Sequence, residues 1–160
     1  MTSSENIINC KNEVIAKLVA SDEVIRAMGN DDIEENDEAV YKYIFPYFYI
    51  PYTIEGAHSY ICMKVIMTGR QSVNDLFGNY SVIIWVIVNQ KLMQMDGVGG
   101  ATRLDHLAHM VEQIFAGSEA FGTKRLQLVT NTEDDLDTMH RARRLTFTTT
   151  NISDVLDCGD

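Results

Sequence analysis

Two stretches, residues 60–68 and 80–89, constrain this chain more than any other feature. Both are rich in Ile, Val, Tyr and Trp, the side chains that pack well on a pleated surface. Both stay almost continuously apolar through their middles, so both faces of each strand need cover. The join at 69–79 is too long for a tight turn and contains Gly78-Asn79. Its length predicts a protruding arm between two antiparallel strands.

Helices are expected on either side of this pair. Thr2-Ser3-Ser4-Glu5 has the capping-box form, and Ile7, Ile8, Val14, Ile15 and Leu18 follow on one face, predicting a helix over 4–19. Ser21-Asp22-Glu23 starts a shorter turn or helix that Gly29 ends. Thr102-Arg103-Leu104-Asp105 is a second capping box. Leu104, Leu107, Ala108, Val111, Ile114 and Phe115 then recur at helical spacing, predicting a helix over 103–116 that Gly117 ends.

Residues 124–130 and 143–151 alternate with the period of two of half-exposed strands. Leu126, Leu128 and Thr130 should share one side of the first, and Leu145, Phe147 and Thr149 one side of the second. Residues 131–139 between them read as an acidic loop, and 152–160 as a frayed acidic tail. The expectation is one α+β domain over 1–160. Its mostly antiparallel mixed sheet has four to five strands, with two main helices packed on one face.

The formal net charge of −10 is uneven. Residues 1–40 carry ten acids and three bases, 41–132 six acids and seven bases, and 133–160 seven acids and three bases. Residues 30–38 alone hold six acids and no base, and read as a loop or the acidic start of a short helix. Such a chain has no broad basic face for nucleic-acid phosphates. No apolar run approaches the ~18 residues of a membrane span, and the polar start is unlike a signal peptide. Cys10, Cys62 and Cys158 show no metal-like spacing and read as reduced thiols.

Few patterns suggest chemistry. Gly97-Val98-Gly99-Gly100 precedes a helix start, but lacks the spacing and the lysine of phosphate loops, and reads as a mobile loop. His106 and His109 lie three apart on a helix, without the spacing of a zinc motif. Asp134 and Asp135 lack the alternating ligands of a calcium loop. Cys62 sits among apolar neighbours and reads as an inert thiol. No catalytic residue, cofactor or metal is expected.

Contact surfaces are better represented. Residues 41–52 hold seven aromatics in twelve positions, bracketed by Pro46 and Pro51, which keep the segment extended. Tyr43, Phe45, Tyr47 and Tyr49 are candidate subunit-interface residues, since aromatic side chains are enriched at such contacts. Arg141, Arg143 and Arg144 cluster near the last strand. They are read either as pairing with carboxylates of a neighbouring subunit or as protecting a sheet edge. Arg103, at the head of the second main helix, is placed with the interface candidates.

The segment Lys42-Tyr43-Ile44-Phe45-Pro46-Tyr47 through Pro51, the helix start Arg103-Leu104-Asp105-His106-Leu107-Ala108 and the strand Arg144-Leu145-Thr146-Phe147 together resemble neck proteins of tailed bacteriophages. Among these the resemblance is to the tail terminator, also called the tail completion or head–tail joining protein, and it covers residues 5–150 in order of elements. It implies a virion protein, assembled in the host cytoplasm, that is not an enzyme and has no membrane partner. It implies a hexameric ring of copies of the chain, capping the tail tube protein and docking on the head connector or stopper. Genomic DNA would pass through the ring's channel without specific binding. An acidic lumen suits that passage, because like charge keeps DNA from sticking. Two alternatives remain: another neck component such as a head-completion or stopper protein, and a small-molecule- or metal-binding domain using the glycine loop with His106 and His109.

Overall fold

The structure is a computed structural model that describes residues 2–51, 56–70, 77–95, 101–119, 121 and 125–152. The expected glycine loop at 97–100, most of the arm between the long strands, Lys124, Cys158 and the tail beyond Ile152 lie outside the described residues.

Helix α1 spans Ser3–Val19, and α2 spans Asp22–Met28. A 3-10 turn at Asn36–Ala39 leads into the short strand β1, Ile44–Phe45. The long strands β2, Ser59–Arg70, and β3, Phe77–Asn89, follow. After a 3-10 turn at Gln90–Leu92 comes α3, Arg103–Phe115. Strands β4, Gln127–Asp135, and β5, His140–Ile152, close the fold.

Both expected capping boxes form. Thr2 accepts the Glu5 N–H at 3.1 Å, and Thr102 accepts the Asp105 N–H at 3.2 Å. Each satisfies a backbone donor that a helix start would otherwise leave unpaired. Gly29 ends α2 in the left-handed region at φ 71°. A side chain there would also collide with Arg103, whose Nη1 would lie 2.7 Å from an added Cβ.

The sheet is mixed, in the order β1-β2-β3-β5-β4. β1 runs parallel to β2, and every other pairing is antiparallel. Asn30 extends the pairing beside the start of β2. Its amide accepts the Ser59 N–H at 3.0 Å and donates to the Ser59 carbonyl at 2.9 Å, as a neighbouring strand would.

One face carries the helices. Val82, Ile84, Leu145 and Phe147 are fully buried there, under Val14 and Leu18 of α1 and Leu107, Val111 and Phe115 of α3. The Asn6 amide of α1 donates to the Tyr80 hydroxyl at 3.2 Å inside this layer. Phe115 meets Phe147 edge-on at 6.2 Å. The opposite face is covered by the aromatic segment. Phe45 stacks on Tyr49 at 4.1 Å, Tyr49 lies 5.7 Å from Tyr60, and Phe48 meets Trp85 edge-on at 4.8 Å. This double cover explains why β2 and β3 are apolar on both sides.

The fourth strand departs from expectation twice. Residues 131–135, expected in a loop, belong to β4, and only the turn 136–139 joins it to β5. Acidic side chains are poor strand formers, but Glu133 faces Arg143 and Asp135 faces Arg141 across the ladder. The register also shifts between Leu128 and Thr130. One extra residue, Val129, moves Thr130 to the face opposite Leu128, and Val129 itself is 58% exposed. Leu126, Leu128 and Thr130 therefore do not share a side.

Candidate self-association surface

The aromatic segment divides according to its packing. Tyr43 and Phe45 are 4% and 5% exposed and pack inside the protomer, so neither offers surface to a neighbour, contrary to expectation. The Tyr43 hydroxyl donates to Asp32 at 2.6 Å. That bond and one from Lys42 hold the Asp32 carboxyl down at about 2. Tyr49 is half-buried between Phe45 and Tyr60. Tyr47 and Ile50 point outward, as does Tyr41 ahead of them.

Tyr41 sits in the left-handed region at φ 63°, with its N–H donating to the Ile44 carbonyl at 2.8 Å. A tyrosine held there costs on the order of 1–3 kcal/mol. Its ring is nevertheless 66% exposed, so no buried contact of its own offsets that cost.

The arginines find partners within their own chain. Strand β5 lies between β3 and β4, so it is not a sheet edge, and the edge-protection reading fails. Arg141 meets Asp135 at 3.1 Å and donates to the Asp137 carbonyl at 2.8 Å. Arg143 donates to Asp105 at 2.8 Å in a partly buried pair. Glu133, at 3.7 Å from the Arg143 Nε, is too far for a hydrogen bond. Burial pushes the Asp105 carboxyl up, but hydrogen bonds from Thr102 and the charge and hydrogen bond of Arg143 outweigh it and hold it below its usual value. Arg144 reaches Asp134 only at 3.7 Å.

Arg103 is an internal tie. It donates to the Leu92 carbonyl at 2.8 Å and to the Ala27 carbonyl at 2.7 Å. It thereby fastens the start of α3 to the end of α2 and satisfies an orphan helix carbonyl.

A groove of about 490 Å³ runs between α2 and α3, lined by Glu23, Arg26, Met95, His106, His109 and Met110 among others. The two histidines do share it. No group of three or more metal-ligating side chains forms among the described residues. Burial pushes the Cys62 thiol up to about 12 and raises that of Cys10, so neither is a thiolate at neutral pH.

Two features escaped the sequence reading. His140 is fully buried, with Nδ1 3.0 Å from Asp137 and Nε2 without a partner among the described residues. It falls between the loop expected at 131–139 and the strand expected at 143–151, so no periodicity pointed to its burial. The other is the outer part of the sheet face opposite the helices, where Lys64 and Ile66 are exposed beside Ile83 and Arg144. Only the strand order brings these residues together.

The fold and these surfaces define an α+β protein whose sheet is covered by helices on one face and partly by aromatic rings on the other, leaving aromatic, aliphatic and charged side chains exposed. The chain belongs to the YomW family, whose model matches residues 12–149, from within α1 to the far part of β5. Membership indicates a phage origin. Comparison with curated proteins gives no match. Among the described residues no helix is long and apolar enough to cross a membrane.

Proposed function

We propose that this protein is a non-catalytic structural component of a phage particle, and that it works by assembling with copies of itself. The observation that carries this reading is the exposure of Tyr41, Tyr47 and Ile50 around a segment whose rings at Tyr43, Phe45, Phe48 and Tyr49 pack onto the sheet. Rigid, preorganised aromatic side chains lose little freedom on docking and suit protein contacts. In the finer form of the proposal, the protein is a tail terminator of the neck. A ring, of six copies in that family, caps the tail tube and joins it to the head connector, and DNA passes through its channel. The family membership supports the phage setting, and the net charge of −10 suits a wall past which DNA slides.

Light-scattering mass and negative-stain images of purified protein, alone and with tail tubes, test this reading. Rings, or caps on tube ends, support it. A monomer that ignores tubes contradicts it. The groove with His106 and His109 favours a second reading, a small-molecule- or metal-binding domain. Stoichiometric zinc in the purified protein, lost on His106→Ala with His109→Ala, would establish that reading instead.

A further inference from the structure

We infer that the uncovered part of the sheet face opposite the helices docks a second copy of this chain, and that the acidic shoulder at residues 31–38 of that copy sits on it. The inference rests on the self-assembly reading and adds the two surfaces that meet.

The docking face is built from three strands. Lys64 pairs with Ile83, which pairs with Thr146; one step further, Ile66 pairs with Ser81, and Ser81 with Thr148. Arg144 stands beside Trp85 in the adjoining row. Among the described residues the aromatic cover reaches this region through Phe48, which packs on Trp85. Beyond it Ile66 is 43% exposed and the Arg144 side chain 45% exposed. The result is a surface that combines the exposed Ile66 and half-buried Ile83 with threonine hydroxyls and two cations.

Both cations are poorly neutralised. The Lys64 ammonium lies 5.8 Å from the Phe48 ring centre and 5.9 Å from that of Trp85, and no carboxylate pairs with it among the described residues. Among the described residues the carboxylate that approaches Arg144, that of Asp134, is 3.7 Å away and does not hydrogen-bond to it.

The shoulder is their complement. Asp32 is paired with Lys42 at 2.9 Å. Asp31, Glu34, Glu35, Asp37 and Glu38 have no basic partner among the described residues. The shoulder is also preformed: the Asn36 amide donates to the Val19 carbonyl at 3.0 Å and to Asp22 at 2.6 Å, fixing the 3-10 turn. Five carboxylates crowded on a fixed turn repel one another, and a cationic face relieves that repulsion.

The two surfaces occupy different parts of the protomer. Asn30, at the start of the shoulder, is bonded to Ser59, the first residue of β2. Lys64 lies five residues further along that strand, or about 16 Å at the usual rise. Across a twofold axis each copy's face would have to meet the other's shoulder at the same time, whereas head to tail each contact uses one face and one shoulder. The head-to-tail arrangement, which closes into rings, is the one that accords with the proposed ring.

Charge reversal tests the inference. One variant carries Lys64→Glu with Arg144→Glu, and a second carries Asp31→Lys, Glu34→Lys and Glu35→Lys. All five positions are exposed or half-exposed, and unchanged thermal unfolding by circular dichroism checks that each variant folds. Assembly is followed by sedimentation at low salt and by binding to tail tubes. Each variant alone should assemble at least tenfold more weakly than the unaltered protein. The milder pair Lys64→Gln with Arg144→Gln should fall between. An equimolar mixture of the two reversed variants should recover assembly, because each altered face then meets an opposite charge. If both variants assemble as well as the unaltered protein, the docking assignment is overturned while the self-assembly reading stands. If the mixture fails to recover, the two patches do not face each other and the assignment falls, with an acidic surface of a different neck protein as the occupant to examine. If the unaltered protein stays monomeric with and without tubes, both readings fall together.

Discussion

The two faces of the sheet differ in how they are finished. The helix face is closed over its central strands, with Val82, Ile84, Leu145 and Phe147 completely buried beneath α1 and α3. The opposite face is closed around Tyr60 and Trp85 by rings from residues 43–49, and then left open at Ile66 and Arg144. Both faces belong to the same three strands, so strand-forming tendency cannot account for the contrast. The closed face holds the fold together, and the open part is free to serve contacts outside the protomer.

Mutations should separate these roles. Phe147→Ala on the closed face removes a buried ring against Phe115 and should cost about 3–5 kcal/mol, read as a lower urea midpoint with unchanged slope. A loss below about 1 kcal/mol would mean that this layer is looser than it looks. Gly29→Ala should cost about 2 kcal/mol, because φ 71° strains any side chain and the new methyl displaces Arg103 from its carbonyl partners.

Asp105→Asn joins the two kinds of change, since Asp105 both caps α3 and receives Arg143 from β5. It should cost about 1 kcal/mol. Asp105 and Asp137 are both held below their usual values in the folded chain. Burial opposes this in each; the Thr102 and Arg143 contacts overcome it at Asp105, and the Met139 and His140 N–H groups with the His140 ring at Asp137. Their contribution is therefore present above the unfolded carboxyl value near 4 and is lost as pH falls through the lower folded values. Urea midpoints measured from pH 6 to pH 3 should fall, and the Asp105→Asn variant should fall less steeply. A parallel decline would remove Asp105 from the account. The smallest stability effect is expected for Ile66→Ala, within about 0.5 kcal/mol, although it lies in a strand as apolar as its neighbours. A loss as large as that of Phe147→Ala would show that the open part of the face is core after all.

Much of the closed face was legible in the sequence. Helices α1 and α3 announce themselves by capping boxes and apolar spacing, and β2 and β3 by their composition. The acidic end of β4 was not legible, because Glu133 and Asp135 are strand residues only through arginines a hairpin away. The bulge at Val129 was hidden for a similar reason: a period-two pattern reports which side a residue takes only if no extra residue intervenes. The aromatic segment was visible as a group, but the sequence did not tell inward rings from outward ones. Phe45 and Tyr49 turn toward Tyr60 while Tyr47 turns away, a division set by where the chain crosses the sheet. Arg141, Arg143 and Arg144 were visible as a cluster, yet their acids became apparent only with the register of β4 and the packing of α3 against β5.

The proposed role stands or falls on whether the chain builds a closed assembly from itself. The most direct test is the mass of the purified protein by light scattering, measured alone and after mixing with tail tubes. The account predicts a discrete multiple of 18.1 kDa, free in solution or captured on tube ends. A single 18.1 kDa species under both conditions would contradict it.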